Sequence, residues 1–502
     1  MDYILGIDIG TTATKGILYD ENAQVEGQAS KSYPLIQDQN GKAVEDPEVI
    51  FSAVQDVIFK LSQNGSKNIK AISWSAQMHS LIGLDKNKQL LTNSITWADN
   101  RSQKVVQEAK NSNLADQVYS QTGMPPHAMA PIYKLMWLKN EHPQLFEQAN
   151  YWIGIKEYVV YRLTNKLMTD TTMAAGTGLF NLKTQQWDSD MLEKAEIKKK
   201  QLPEVAAPTM IVGNVLPYYA QKLGLQTDTK VILGASDGYS STIGVNVLNN
   251  ENFAINVGTS AAIRVIAPYL IKDAYKRVFC YPVDHTHYLV GGPINNGGIV
   301  LQWAKNALLG SDATFEDYLT LAAVASVGSK GLLFYPYLGG ERAPIWNSEA
   351  SGSFVGLTRQ HQKAELARAV IEGLILNMKM AAEGLLDNVG KPRCLKLTGG
   401  FTKSNFICQL IADIFNLPTV KVKQKQSGAF AAMFLARQAL GKSETLNDIK
   451  DFAGDEKIYF PNEINALKYQ KIFTLYKQIE HDLEKNYHAL ARLKNELSDS
   501  IQ

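Results

Sequence analysis

The chain has 502 residues, 45% apolar and 20% charged, enough material for two to four domains with real cores and no compositional case for wholesale disorder. Lys+Arg 51 against Asp+Glu 49 leaves a formal charge of +2, without the basic excess that coats nucleic acid or an anionic membrane. Cys280, Cys394 and Cys408 form no C-x-x-C pair and no disulfide framework, the first residues carry an acid where a signal peptide needs base, and no run reaches about 18 apolar residues. The expectation is a soluble cytoplasmic protein with neither a nucleic-acid nor a membrane partner.

In chain order, an apolar strand over Tyr3–Ile9 runs into Asp8-x-Gly10-Thr11-Thr12, with Lys15 close behind. Glycine lets a polyanion approach the backbone, and hydroxyl and amide groups donate to it. Asp8 is the kind of carboxylate that holds a hydrated Mg²⁺ through water. A helix over Pro47–Leu61 and a strand over Ile69–Ser75 follow, then a helix over Pro131–Asn140 and a strand over Lys230–Leu233. The Asn/Gly-rich stretch Ile243–Asn252 marks the best candidate boundary, dividing the chain into 1–245 and 246–502. Directly after it the strand Phe253–Val257 leads into Gly258-Thr259-Ser260. Ile255-Asn256-Val257-Gly258-Thr259-Ser260 echoes Ile7-Asp8-Ile9-Gly10-Thr11-Thr12 about half a chain away. Two hydroxyl-rich turns at the starts of two halves point to a duplicated domain pair facing one nucleotide. A strand over Leu332–Tyr335, a helix over Lys363–Leu386, a strand over Cys394–Leu397 and a helix over Asn405–Phe415 complete an alternating α/β pattern. The apolar stripe Ile472, Tyr476, Ile479, Leu483, Tyr487, Leu490 predicts a C-terminal helix that packs on its own domain or pairs in a homodimer. Neither a G-x-x-x-x-G-K-[ST] loop nor a G-x-G-x-x-G after the first strand is present, which disfavours P-loop NTPases and dinucleotide oxidoreductases.

Two extended stretches carry a family resemblance: Met129-Ala-Pro131-Ile-Tyr-Lys134-Leu-Met-Trp137-Leu-Lys-Asn-Glu141, and Gly352-Ser-Phe-Val-Gly356-Leu357 through Glu365-Leu366 to Ala369-Val370-Ile371-Glu372. The chain resembles, over almost its whole length, the carbohydrate kinases that include glycerol kinase, xylulokinase and gluconate kinase. Read physically, both stretches are scaffold, with Arg368 and Glu372 spaced as a surface pair or cap. The resemblance implies two actin/Hsp70-like (ribonuclease H-like) α/β domains with a nucleotide cleft between them, ATP and Mg²⁺ as cofactors, and a small sugar or sugar acid as acceptor. The first domain would bind sugar and phosphate, the second the nucleotide.

Asp237, in Gly234-Ala-Ser-Asp237-Gly238, sits on a glycine-flanked turn after an apolar strand, a suitable mount for the base that takes the acceptor's proton. It matches the family's catalytic aspartate. Gln77-Met78-His79 and Trp97-Ala-Asp99-Asn-Arg101 look like the family's sugar-binding stretches, the polar members supplying directional bonds and Trp97 an apolar wall. Gly298 with Gln302, and Gly399-Gly400 with Ser404 and Asn405, resemble its nucleotide-cradling positions. Gly339-Gly340-Glu341-Arg342 is also familial but suggests no physical role. Glycerol kinases carry Arg-Glu where this chain has Met78-His79, and the stretches Ser75–Ser80, Trp97–Ser102 and Gly234–Gly238 look most similar to gluconate kinase. The expected acceptor is therefore D-gluconate, with D-xylulose the alternative and an actin/Hsp70-like ATPase the alternative from another class. A gluconate pocket needs a cation or several donors for the carboxylate, and Arg101, His79, His127 and Lys134 are the candidates.

Overall fold

The computed structural model describes residues 1–499 except 64, 424–425, 444 and 452–453. The strand Asp2–Ile9 is buried along most of its length because it lies inside its sheet rather than on one face of it. It pairs antiparallel with Ala13–Tyr19 and parallel with Asn68–Ala76. Val25–Ser32 extends the sheet on one side. Lys230–Ile232 and Ile211–Asn214 extend it on the other, and Ala235–Ser236 also pairs with Asn68–Ala76.

A second seven-stranded sheet repeats this arrangement. Asn252–Val257 pairs antiparallel with Ala261–Ala267 and parallel with Cys394–Gly399, so the strand–turn–strand unit of the first half recurs with the same neighbours. The sequence echo therefore falls on equivalent hairpin turns. The stretch 244–251 carries no helix or strand and separates the last helix of the first half, Asp237–Ile243, from the first strand of the second.

The predicted helices form at Pro47–Ser62, Pro131–Glu141, Lys363–Val389 and Asn405–Phe415. Local chemistry explains their starts. Asp46 accepts from the Glu48 and Val49 amides, Pro47 and Pro131 sit in the first turn where no amide proton is needed, and Ser404 accepts from the Ile407 amide.

Arg368 and Glu372 depart from the expected surface pair. Both are buried, with Arg368 Nε 2.8 Å from Glu372 Oε1. Glu372 also accepts from the Gly328 amide, the Ser329 hydroxyl and the Tyr469 hydroxyl, while Arg368 donates to the Ala325 carbonyl. The pair thus ties the long helix Lys363–Val389 to the C-terminal helix Glu463–Asp499. That C-terminal helix buries Tyr469, Phe473, Tyr476 and Tyr487 within the same chain's core, with Ile472, Ile479 and Leu483 packed against them, while Leu490 stays exposed.

One helix crosses between the halves. Ser427–Ala439 packs Ala429, Phe430, Met433 and Phe434 against Ile4, Ile17 and Tyr19 of the first sheet. Gly6 is what permits the contact, since a Cβ there would stand 2.1 Å from the Ala429 carbonyl oxygen.

Candidate active site

Asp237 lies where the expected turn places it. Gly234 adopts φ +67°, and a Cβ would meet the Trp74 backbone at 2.1 Å, so the chain bends here only without a side chain. The bend is braced from beneath by a fully buried ion pair between Lys156 and Asp170. Lys156 Nζ donates to the Leu233 carbonyl at 3.1 Å, Asp170 accepts from the Thr172 amide at 2.8 Å, and Thr172 Oγ1 accepts from the Ser236 amide at 2.8 Å. Asp237 itself accepts from the Gly238 amide at 2.7 Å. Burial raises its pKa, opposed by the positive charges of Arg264 and Arg342.

Asp237 opens onto a polar cavity of about 370 Å³ lined from both halves of the chain. Asp8, Thr11 and Lys15 face it from the first hairpin, and Asn256, Ser260 and Gly399 from the second sheet. Asp8 accepts from the Ser75 hydroxyl at 2.6 Å, and burial, with the Asp237 charge adding, pushes its pKa up to about 6. Two carboxylates facing one space, one with an oxygen already held by Ser75, fit a hydrated divalent cation, which takes one or two carboxylates and keeps several waters. Gly10 and Thr12 form the turn, with the Tyr33 hydroxyl on the Gly10 carbonyl at 2.6 Å. The second turn is locked from Gly298, whose amide donates to the Gly258 carbonyl at 2.9 Å, and from Ile299, which donates to the Thr259 carbonyl.

Of the expected sugar-binding residues, Met78, His79 and Trp97 line the cavity. His79 is held at φ 67°, an uncommon conformation for a non-glycine residue. Its Nδ1 lies 2.7 Å from the Gly176 carbonyl, which can only accept, so Nδ1 carries the proton and Nε2 is left as an acceptor. Burial drives its pKa down to about 3, so the ring is neutral and cannot be the cation for a carboxylate. Gln77 lies behind the wall, where Trp97 donates to Thr11 Oγ1, Thr11 donates to Gln77 Oε1, and Gln77 donates to Glu45.

Three further cations expected near a carboxylate are engaged elsewhere. Arg101 is spent on Asp99, with Nη2 2.7 Å from Oδ2, and stacks on Trp137, while Asp99 also accepts from the Ala43 amide. Lys134 donates to the carbonyls of His79, Ile95 and Thr96. His127 is buried, its Nδ1 accepting from the Met129 amide, and burial holds its pKa well below the usual histidine range.

Besides Lys15 at the first phosphate turn, the cations that face the cavity are Arg264 and Arg342. Arg264 stands alone in the otherwise apolar strand Ala261–Ala267, and that isolated charge was the available sequence signal. Arg342 stacks over Trp97, with its Cζ 4.7 Å from the ring centroid. Here Gly339-Gly340-Glu341-Arg342 acquires a role. Glu341 accepts from the Asn295 and Arg342 amides and from Asn377, which pins the loop that presents Arg342.

A second cavity of about 660 Å³ opens on the second domain's side of the turns. Gly258, Gly298, Gly400 and Ser404 line it together with Leu301, Phe315, Leu319 and Phe406, giving apolar walls at the mouth of the phosphate turn. Gln302 bonds Asn306 and Asn405 accepts from Tyr459, and neither is among its lining residues. Gly399 adopts φ +90°, and a Cβ there would stand 2.2 Å from the Val257 carbonyl oxygen, so the position takes glycine on both counts. Among the described residues no group of three or more His, Cys, Asp or Glu forms a ready metal cage.

Two duplicated sheets with a polar cleft between their hairpin turns, carrying a carboxylate on a glycine bend, define a phosphotransferase of the actin/Hsp70-like class. The FGGY family of carbohydrate kinases matches this chain with its N-terminal domain over residues 3–244 and its C-terminal domain over 253–440. The chain belongs to that family and is an ATP-dependent carbohydrate kinase. It is similar to a gluconokinase of Bacillus subtilis, at 38% identity over 97% of this chain and 98% of that one. Two solved structures from Lactobacillus acidophilus are more similar still. One, described as a gluconate kinase, shares 57% identity at TM-score 0.95 over 97% of this chain and 99% of that one. The other, described as a ligand-bound xylulose kinase, shares 56% identity at TM-score 0.95 over 98% of this chain and 100% of that one. No described helix is long and apolar enough to cross a membrane.

Proposed function

We propose that this enzyme transfers the γ-phosphoryl group of ATP to D-gluconate, giving 6-phosphogluconate, with Asp237 as general base. The observation that carries the reading is the position of Asp237, on a braced bend opening into the cavity shared by the phosphate turns and the sugar wall. The likeness to gluconokinases along the full chain supports the acceptor. Residues 1–245 hold the sugar and the first phosphate turn, and residues 246–502 hold the nucleotide. The unpaired cysteines suit a reducing cytoplasm.

The nucleotide's base and ribose lie against Leu301, Phe315 and Phe406, and its phosphates run over Gly258–Ser260 toward Gly10–Thr12 and Lys15. His79 Nε2 accepts a hydroxyl of the sugar and Trp97 covers its carbon chain. Asp237 orients the 6-hydroxyl and takes its proton as the new O–P bond forms and the bond to the ADP oxygen breaks. Asp8, with Asp237 beside it, would hold a hydrated Mg²⁺, which neutralises phosphate charge when bound. Closing the halves excludes water, so that turnover waits for the acceptor.

A second acceptor, D-xylulose, is favoured by the likeness to the structure described as a xylulose kinase. ADP release with Mg-ATP across D-gluconate, D-xylulose, L-ribulose, glycerol and no acceptor separates the readings. A gluconate-selective rise is expected, and Asp237→Asn should lower kcat by about 10²–10⁴-fold while ATP binding is kept. Preference for xylulose would transfer the assignment to that sugar. Equal release in every well, the blank included, would sink the kinase reading.

A further inference from the structure

Arg264 and Arg342 are two cations in one cavity, and neither forms an ion pair with a carboxylate among the described residues. Arg342 is 7% exposed. Its contacts are the Trp97 face and the Ile294 carbonyl, 3.3 Å from Nη2. Arg264 keeps part of its surface open to the cavity and reaches one hydroxyl, that of Ser241, at 3.4 Å from Nη1. The Nε atoms of both are buried without a hydrogen-bond partner. Asp8 and Asp237 share this space with both arginines and with Lys15, so the cations facing it outnumber the carboxylates, and because a buried guanidinium is costly without a counter-charge the space calls for a further anion. The space for Arg264 is itself built in, since a Cβ on Gly291 would stand 2.8 Å from its Cγ.

The phosphate turn ends at Ser260, and Arg264 lies four residues along the next strand, about 13 Å away at roughly 3.3 Å per residue. The strand carries the Arg264 backbone away from the phosphate turn, past Ala262, and its guanidinium lies along Gly238, where a Cβ would stand 3.2 Å from Nε. Arg342 comes in beside the neighbouring strand, with its Nη2 on the Ile294 carbonyl opposite Ala261, and lies over Trp97. A sugar acid with its terminal hydroxyl at Asp237 occupies this same cavity, and its carboxylate is the anion it brings. A carboxylate there matches the paired donors of a guanidinium, which hold it bidentately.

We propose that Arg264 and Arg342 together receive the carboxylate of a sugar-acid acceptor, and that Arg264 decides acid over neutral sugar. Arg342 is also held by its aromatic partner and pinned loop, whereas the donors of Arg264 are almost all unspent. The inference rests on the gluconate reading for its substrate, but it is testable by binding alone.

Two readouts on the full-length enzyme decide it. In the first, thermal stabilisation of the nucleotide-free protein is compared between D-gluconate and D-glucitol, which differ at the carboxylate carbon. The wild type should respond to the acid and far less to the polyol, and Arg264→Met should lose that preference. In the second, kcat/KM for D-gluconate should fall in Arg264→Met about 10- to 100-fold further than for D-xylulose, as expected for losing hydrogen bonds to a charged group. Arg264→Lys, which keeps a point charge, should lie between, and it carries the test if the Met variant does not fold. Equal losses for both sugars would overturn the receptor and place Arg264 with Asp237 or the phosphoryl group, leaving the gluconate reading intact. Acid-selective binding that depends on Arg264 without gluconate turnover would keep the receptor and overturn the gluconate reading. Neither binding nor turnover of the acid would overturn both.

Discussion

At the scale of single residues, burial and one hydrogen bond can fix the protonation state of a side chain in the cleft wall. His79 illustrates how. A carbonyl accepting from Nδ1 selects the tautomer, and burial with nearby Lys134, Arg342 and Arg264 disfavours a second proton. Because its pKa is lowered to about 3, His79 is neutral throughout pH 5–8, and only strong acid would charge it. The acid limb of kcat/KM for the sugar should therefore be the same in wild type and His79→Gln, even though the substitution raises KM. A limb near pH 6.5 present in the wild type and absent from the variant would show that His79 titrates in the working range. The residue types at 77–79 and 237 were legible from sequence because their motifs are local. The partners that neutralise or occupy them were not, since Gly176, Glu45 and Arg342 are remote in the chain.

At the scale of elements, the site depends on how a bend is supported. Gly234 permits the turn, but Lys156 and Asp170, from a helix and a strand end some seventy residues earlier, hold its carbonyls and its Ser236 amide in place. Truncating Asp170 to Ala would strand a buried ammonium and should destabilise the protein by about 3–5 kcal/mol, read as a lowered Tm. The double variant Lys156→Met/Asp170→Leu removes both charges and should recover much of that loss while kcat stays low, because the Leu233 and Gly234 carbonyls lose their donor. Full recovery of kcat would show that the ion pair serves stability alone. Helix and strand positions were readable in advance from periodicity and caps, as Asp46, Pro131 and Ser404 show. The burial of Arg368 and Glu372 was not, because i,i+4 spacing looks the same on a wet face as under a second helix.

At the scale of the whole molecule, two similar sheets meet across the cleft, and the helix Ser427–Ala439 from late in the chain packs on the first of them. The polar cavity takes lining residues from both halves, so a bound ligand bridges them, the arrangement from which hinge closure is expected. Small-angle scattering should show a smaller radius of gyration with D-gluconate and a non-hydrolysable ATP analogue together than with either alone. Identical dimensions in all states would rule out large-scale closure.

The sequence by itself determined the α/β class, the duplicated Gly-Thr turns, the aspartate on its glycine bend and the kinase family, because each is written in residues a few positions apart. Tertiary structure decided which cations are free. Lys134 is consumed by carbonyls that folding brings to it, Arg101 by Asp99 two residues away, and burial neutralises His127, whereas Arg264 and Arg342 reach the cleft with no ion pair to a carboxylate among the described residues. Which side chains a fold buries and which it turns into a cleft is set by neighbours in space, and a linear chain does not display them.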